Sequence, residues 1–416
     1  LVDASQKRQE SGRMRVVIYG INYSPEPIGV GRYTGEIGQA LTEQGHDLRV
    51  VTAVPHYPGW RVQAPFGNRW SFDGAAVFRC PLLLKAGMRG IWRFLAPLSF
   101  ALTSAPVALY QILRFRPQVI LCVEPTLMTA PLAVLAGRLV GARLVLHVHD
   151  LEVDAAFSVG HLRSPRALRL AHALERRILA AFDRLITISE TMRAKLLDKG
   201  LAADRVAIVR NWVDLERIAP LREASGYRGE LGLTADQFVV LYAGSIGAKQ
   251  ALDIVLDLAE RIPEARFVVA GDGPAKAALV DRYGSLANVH FLPLAAESRL
   301  GELLGLADLH VLPQDAKAAD LVLPSKLGGM LASGKPVAVM ADAGTELHDF
   351  LAGAAILVAA GDRDGLEAAI RDLMAHGDRI GAATRLARAA VLGRSDNLGR
   401  LLALLTVNHR ETEGCR

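Results

Sequence analysis

PQDAKAADLVLPSKLGGMLASGKPVAVM, residues 313–340, decides how the rest of the chain is read. The apolar run that ends at Pro313 reads as a strand, the polar residues after it as a loop, and the segment from Pro324 as a helix start. Ala332-Ser333-Gly334-Lys335-Pro336 then turns the chain into a second apolar run, 337–340. Strand, loop, helix and strand make the unit of an open parallel sheet, in which ligands sit at the carboxyl ends of strands. A helix start there offers free N–H groups and a positive dipole end, so the expected ligand is an anion, with Ser325 and Lys326 adding a hydroxyl and a cation.

Outward from this stretch the same alternation fills the chain. Towards the N-terminus, strands are expected at 15–19, 48–54, 76–79, 119–123, 143–148, 184–188 and 206–209, with helices at 31–44, 131–140, 165–181 and 191–199 among them. Around the opening stretch they are expected at 238–242, 266–270, 289–292, 309–312, 336–340 and 355–358, and helices at 366–375, 379–391 and 398–405 close the chain. Between the two series, residues 215–237 are charged and broken by Pro220, Gly226, Gly229 and Gly232, as a domain linker would be. The fold class is therefore α/β, with two Rossmann-like parallel-sheet domains and a ligand cleft expected between them.

The 416 residues suit two domains, and composition is globular with an apolar lean. A net charge of +5 favours anionic partners, but aromatic residues are few and no basic-aromatic motif appears, so nucleic acid is not expected. Cys80, Cys122 and Cys415 have no metal-type spacing, which points to a reducing, cytoplasmic setting. Residues 1–13 are too polar for a signal peptide, and Met14 reads as the natural start. Residues 94–113 carry no charge and are long enough to span a bilayer. Pro97 and Pro106 interrupt them, and a strand of the same sheet follows, so they read as a buried or monotopic helix, with Lys85, Arg89, Arg93, Arg114 and Arg116 available to anionic headgroups.

Gly29-Val30-Gly31 follows the first strand by ten residues, the next glycine, Gly35, comes one place late, and the second strand ends without an acid. This is not a dinucleotide fingerprint, so no nicotinamide or flavin is expected; the reading left is a glycine loop that lets backbone approach a sugar or phosphate. His149-Asp150 ends a buried strand, where His149 can hydrogen-bond a sugar hydroxyl or accept a proton, and His147 alternates to the same side. Lys249 follows a glycine-bearing strand end and suits a departing diphosphate; Arg210 is a second candidate cation. Ala270-Gly271-Asp272-Gly273-Pro274 turns from strand to helix. Asp362-Arg363-Asp364 has the form of a metal-binding pair but reads as a helix cap, and no metal site is expected.

In this order and spacing, these residues resemble the retaining glycosyltransferases of family 4, with GT-B architecture. The resemblance rests on the glycine loop, Gln44-Gly45-His46-Asp47, His149-Asp150, Ile186-Thr187-Ile188-Ser189-Glu190, Arg210-Asn211-Trp212-Val213-Asp214, the 270–274 turn and Ala332-Ser333-Gly334-Lys335-Pro336-Val337. Asn22-Tyr23-Ser24-Pro25-Glu26, Pro55-His56-Tyr57-Pro58, Lys249-Gln250 and Pro324-Ser325-Lys326 are similar to the bacterial colanic-acid-type exopolysaccharide transferases. The resemblance implies an acceptor domain at 14–212, a linker at 213–237, a nucleotide-sugar domain at 238–393 and a last segment, 394–416, crossing back to the first domain. It also implies a UDP- or GDP-linked sugar donor, a polyprenyl-linked saccharide acceptor at the inner face of the cytoplasmic membrane, where the protein would be peripheral, and no cofactor or divalent metal.

Carried over by position, Gly29 and Gly31 approach donor phosphate or sugar, His149 contacts the sugar, and Lys249 with Lys326 neutralises the leaving diphosphate. Further donor contacts are expected at Arg210, Ser245, Gly271, Leu292, Asp320 and Ser325. Two positions depart from the family. Its glutamate pair falls at Leu321 and Gly329, leaving Asp320 as the nearest carboxylate for the ribose, and the arginine that partners Lys249 falls at Ser245. Those departures keep open a degenerate nucleotide- or partner-binding protein; a nucleotide-sugar epimerase shares the architecture but needs acid-base groups that the sequence does not place.

Overall fold

The computed structural model describes residues 12–74, 76–85, 92–125, 127–151, 165–247, 250–314 and 323–406. The chain divides into two compact units, Leu1–Val209 with Leu398–Arg416, and Arg210–Asn397.

In the first unit the strands are β1 (Arg15–Gly20), β2 (Asp47–Ala53), β3 (Ser71–Asp73), β4 (Val77–Cys80), β5 (Val119–Val123), β6 (Arg143–Val148), β7 (Arg184–Thr187) and β8 (Val206–Ile208). They form one sheet in the order β3-β4-β2-β1-β5-β6-β7-β8, parallel except for the β3–β4 pair. β3 was not expected: three residues at a sheet edge leave no apolar run to read. The central strand β5 is buried along its whole length, as a parallel strand covered on both faces must be. The strand order reverses between β1 and β5, so the loops after these two strands flank the switch point of the sheet.

The first unit's helices are α1 (Val30–Glu43), α2 (Trp92–Phe115), α3 (Ala130–Val140), α4 (Pro165–Ala180) and α5 (Glu190–Asp198). Helix α2 takes up the uncharged segment, with Pro97 and Pro106 inside it. Ala96, Phe100, Ser104, Ala108 and Ile112, at a spacing of four, are buried, and Tyr19 Oη lies 2.7 Å from Ser104 Oγ. The residues 94–115 are long and apolar enough to cross a membrane, yet one face of this helix packs on the sheet while Leu98, Leu102, Tyr110 and Leu113 on other faces are exposed. Cys80 and Cys122 are free and buried.

The second unit holds β9 (Phe238–Ala243), β10 (Ala265–Ala270), β11 (Val289–Leu292), β12 (Leu309–Leu312), β13 (Val337–Met340) and β14 (Ile356–Val358), all parallel, in the order β11-β10-β9-β12-β13-β14. Side chains alternate between two cores: Val239, Leu241 and Val268 face one, Val240, Tyr242 and Phe267 the other. Its helices are α6 (Gly226–Glu230), α7 (Leu252–Leu256), α8 (Leu258–Arg261), α9 (Lys276–Tyr283), α10 (Leu300–Gly305), α11 (Leu327–Ala332), α12 (Glu346–Leu351), α13 (Arg363–His376) and α14 (Ala382–Ala390). Helix α15 (Arg394–Thr406) begins in this unit and passes into the first at Leu398.

Two boundaries differ from expectation. Residues 213–237 lie in the second unit: Val213, Ile218 and Tyr227 join its core, and the Val213 backbone exchanges hydrogen bonds with Leu392 and Arg394 at 2.8 and 2.9 Å. Their prolines and glycines mark an irregular path over that core, with Ser225 capping the short helix α6. The helix expected from Pro324 starts at Leu327; residues 324–326 form a turn closed by Leu327 N–H donating to the Pro324 carbonyl at 2.9 Å. At the far end of α11 the 332–336 turn is held by Arg385, a fully buried guanidinium that donates to the Gly334 carbonyl at 3.0 Å and pairs with Asp378.

Candidate functional site

In the second unit the strand order reverses between β9 and β12, and the turns after β9, β10 and β11 gather at the carboxyl edge beside that switch point. Gly244 after β9 and Gly271 after β10 have φ near 146° and 148°, values that favour glycine. A Cβ on Gly271 would lie 1.9 Å from the Gly244 carbonyl oxygen, so the two turns pack backbone on backbone. Gly244 N–H donates to Ala270 O and Ile246 N–H to Asp272 O, both at 2.9 Å. Lys276 Nζ donates to the carbonyls of Gly271 and Leu292 at 2.7 and 2.9 Å, which joins those two expected donor positions in one knot.

Lys326 reaches the same place from the turn before α11. Its Nζ donates to Tyr242 Oη at 2.6 Å, and that hydroxyl donates to the Ser245 carbonyl at 2.5 Å. A Cβ on Gly244 would lie 3.1 Å from Lys326 Cδ, so the glycine also leaves room for the lysine stem. Burial lowers the Lys326 ammonium from its ordinary value to about 7. Ser325, next to it, and Ser245 are exposed. Thus Lys326, Ser245, Gly271 and Leu292 come together, linked by Tyr242 and Lys276, neither of which was expected. Tyr242 reads in sequence as one more apolar strand residue; Lys276 sits in the first turn of α9, three places after Gly273, which is a usable signal. Lys249 and Asp320 lie outside the described residues.

Arg210 differs from its expected role as a free donor cation. Its guanidinium is 2.5 Å from Glu346 at the start of α12 and lies 5.5 Å from the Phe350 ring centre, so its charge is already partnered. The position given to the family's second glutamate, Gly329, is buried within α11, and a Cβ there would lie 2.9 Å from Leu304 Cδ1. A longer side chain has no space in this packing; Leu321 lies outside the described residues.

In the first unit, Gly29 precedes α1 with φ of 70°. Gly31 does not open a surface to a ligand: a Cβ there would lie 2.5 Å from Glu26 Oε2. Gly35 and Gly38 likewise meet Ser24 and Tyr23, so the three glycines form one helix stripe, which explains why Gly35 is misplaced for a dinucleotide loop. Glu26 is buried and accepts from Asn22 Nδ2 at 2.8 Å and from the His56 and Tyr57 backbone N–H groups at 3.0 and 2.9 Å. It ties the loop after β1 to the loop after β2. Its signal, an acid directly after Pro25 in a strand-end loop, was visible in the sequence but carried no assignment.

His149 directly follows β6, with its ring stacked near Tyr33 at 6.3 Å between centres and its Nε2 3.2 Å from His147 Nδ1. Burial lowers the His149 imidazole to about 3, which leaves it a neutral hydrogen-bonding group and removes the proton-accepting alternative near neutral pH. His147 is the more deeply buried of the two and is packed behind it. Among the described residues no group of three or more His, Cys, Asp or Glu is arranged to hold a metal. Asp362 Oδ1 caps α13 by accepting from Gly365 N–H at 2.9 Å, and Asp364 pairs with Arg261 at 2.8 Å.

Each unit matches a family model: residues 29–212 the glycosyl transferase 4-like domain, and residues 237–376 the glycosyl transferases group 1. A relative from Escherichia coli (strain K12), which carries the name colanic acid biosynthesis glycosyl transferase WcaI, is 38% identical over 377 residues, 87% of this chain and 92% of the relative. Among solved structures, sucrose-phosphate synthase from Thermosynechococcus elongatus superposes with a TM-score of 0.73 at 16% identity, covering 97% of this chain and 100% of that one. Anabaena Alr3699/HepE in complex with UDP gives a TM-score of 0.66 at 16% identity over 94% of this chain and 99% of that one. By the two family models and the length of the WcaI match, the chain belongs to the glycosyltransferases of family 4, and its two parallel-sheet units have their GT-B fold.

Proposed function

We propose that this glycosyltransferase moves a sugar, with retention at the anomeric carbon and without a divalent metal, from a UDP- or GDP-linked donor to a polyprenyl-linked saccharide in exopolysaccharide assembly. The observation that carries this reading is the Lys326 ammonium held at the Gly244–Ser245 turn, beside the packed Gly271 turn, at the switch point of the second sheet. As the bond from anomeric carbon to phosphate oxygen breaks, negative charge grows on the diphosphate, and a pre-placed cation with backbone N–H groups stabilises it. Neutral His149 suits a sugar hydroxyl. The solved relative in complex with UDP and glucose, and the name of the Escherichia coli relative, support the donor class and the pathway. A lipid-linked acceptor would be met at the inner face of the cytoplasmic membrane, with the protein bound peripherally through the exposed leucines of its first unit.

Membranes carrying lipid-linked acceptor, incubated with a panel of radiolabelled nucleotide sugars, test the reading. Label is expected in the lipid fraction with the wild-type protein and at least about 100-fold less with Lys249→Ala. EDTA is expected to leave the rate unchanged; loss of activity restored by Mn²⁺ would overturn the metal-free step. Nucleotide binding without turnover of any donor would instead favour the degenerate reading that Gly329 and Ser245 raise.

A further inference from the structure

Tyr242 is buried in β9, yet its hydroxyl leaves the apolar core and stands between two polar groups. Its single proton is directed at the Ser245 carbonyl, 2.5 Å away, so the oxygen presents lone pairs to Lys326 Nζ at 2.6 Å. The ring adds a second restraint, with Nζ 3.9 Å from its centre. Lys326 is thereby fixed at two points on one side chain that is itself rigid in the strand. Among the described residues, two other charged groups at these strand ends are engaged elsewhere: Lys276 donates to two carbonyls, and Asp272 Oδ1 accepts from Gly273 N–H at 2.8 Å. Among the described residues no carboxylate pairs with Lys326, and its ammonium is depressed by desolvation alone. A desolvated cation with a neutral hydroxyl as partner lacks a counter-charge, and an arriving anion supplies one.

We propose that Tyr242 is the positioning residue for Lys326, and that the pair is a proton-coupled anion site in which the lysine takes up a proton from solvent as the donor diphosphate binds. This rests on the transferase reading for the identity of the anion and goes beyond it in coupling donor affinity to pH. The sign follows from linkage. With the free lysine titrating near 7, a bound diphosphate raises its pKa, protons are taken up on binding, and affinity falls as pH rises between the two values. The limiting slope is about tenfold per pH unit.

Calorimetric titration of the intact protein with UDP, GDP and inorganic pyrophosphate, from about pH 7 to about pH 8.5, where the nucleotide's terminal phosphate is past its ionisation near 6 and pyrophosphate's last proton and the bases' ring protons are largely still held, measures it. In two buffers of different ionisation enthalpy, the wild type is expected to show net proton uptake and at least about tenfold loss of affinity across this range. Lys326→Met should bind more weakly at the low end and show neither uptake nor slope. Tyr242→Phe keeps the ring and loses the hydroxyl, so its uptake midpoint should move to lower pH, with binding about three- to tenfold weaker near neutrality. A slope in Lys326→Met equal to wild type overturns the proposal. A Tyr242→Phe protein that is weaker by one factor at every pH, with an unmoved midpoint, reduces Tyr242 to a packing residue and overturns its positioning role. If pyrophosphate shows the Lys326-dependent uptake while neither nucleotide binds, the pair stands and the transferase reading fails. If none of the three probes binds the wild type, the site is refuted.

Discussion

His149 directly follows β6 with its ring buried near Tyr33 and its Nε2 on His147, and this setting decides which of its two chemistries is favoured. Sequence shows the histidine at a strand end; it does not show that the surroundings withhold the water an imidazolium needs. His310 is a parallel case in the second unit, buried against Ser333 Oγ at 3.1 Å and lowered to about 3 mainly by desolvation. Both groups are depressed in the folded protein, as is His147, whereas the unfolded chain binds protons near 6.5. The unfolded state therefore binds more protons as pH falls below that value, and the folded state loses stability in acid. At pH 5 the loss is about 2 kcal/mol each for His149 and His310. Urea melts should show a lower midpoint at pH 5 than at pH 7, and His149→Gln should recover part of the difference. An equal acid loss in that variant would mean that His149 does ionise when folded.

Helix α1 shows what a pattern of residues reports and what it leaves out. Gly29 and Gly31 read in sequence as a glycine loop, with Gly35 one place late; in the structure Gly31, Gly35 and Gly38 lie on one face of a helix against residues 23–26. The strands were legible because a buried parallel strand is a local apolar run, and those of both sheets fall where such runs occur, with the three-residue β3 as the exception. The Arg210–Glu346 pair was not legible, since it joins positions 136 apart, and neither was the Tyr242 link to Lys326, 84 apart. Nor does composition distinguish a linker from an irregular segment packed on a core, which is what 213–237 proves to be. For α1 the packing makes a sharp expectation. Gly31→Ala would press its methyl against Glu26, which holds the His56 and Tyr57 N–H groups, at a cost of about 1–3 kcal/mol. Gly399→Ala, in α15 with nothing near its Cβ, should instead gain up to about 1 kcal/mol. Thermal melts of both variants compare a crowded helix glycine with an open one; equal shifts would show that the Glu26 contact does not constrain the loop.

For the first unit as a whole, the crossovers β4 to β5, β5 to β6 and β6 to β7 step in one direction along the sheet, so right-handed connection puts α2, α3 and α4 on the same face. These three helices contain a single acid, Glu175, which is buried and lies 2.6 Å from Lys199. Among the described residues, those exposed on these helices include Leu98, Leu102, Tyr110, Leu113, Leu135, Leu139, Leu170 and Leu174, with Arg114, Arg138, Arg169, Arg176 and Arg177 exposed beside them. Leucines without acids and with arginines around them suit the proposed contact with an anionic bilayer, in which the leucines would enter at the headgroup boundary while the guanidinium groups would pair with phosphates. The buried stripe of α2 against the sheet leaves only its outer side for such a contact, so the attachment we propose is peripheral. In vesicle co-sedimentation the protein should bind phosphatidylglycerol vesicles and leave neutral phosphatidylcholine vesicles largely unbound, with binding weakened at about 0.5 M salt. Leu102→Glu with Leu139→Glu should lower the partition about tenfold or more, with an unchanged melting temperature because both side chains are exposed, at 68% each. Equal binding of the variant and the wild type would remove this face from the membrane contact, and a concentration-dependent dimer broken by the same two substitutions would assign the leucines to a second copy of the chain.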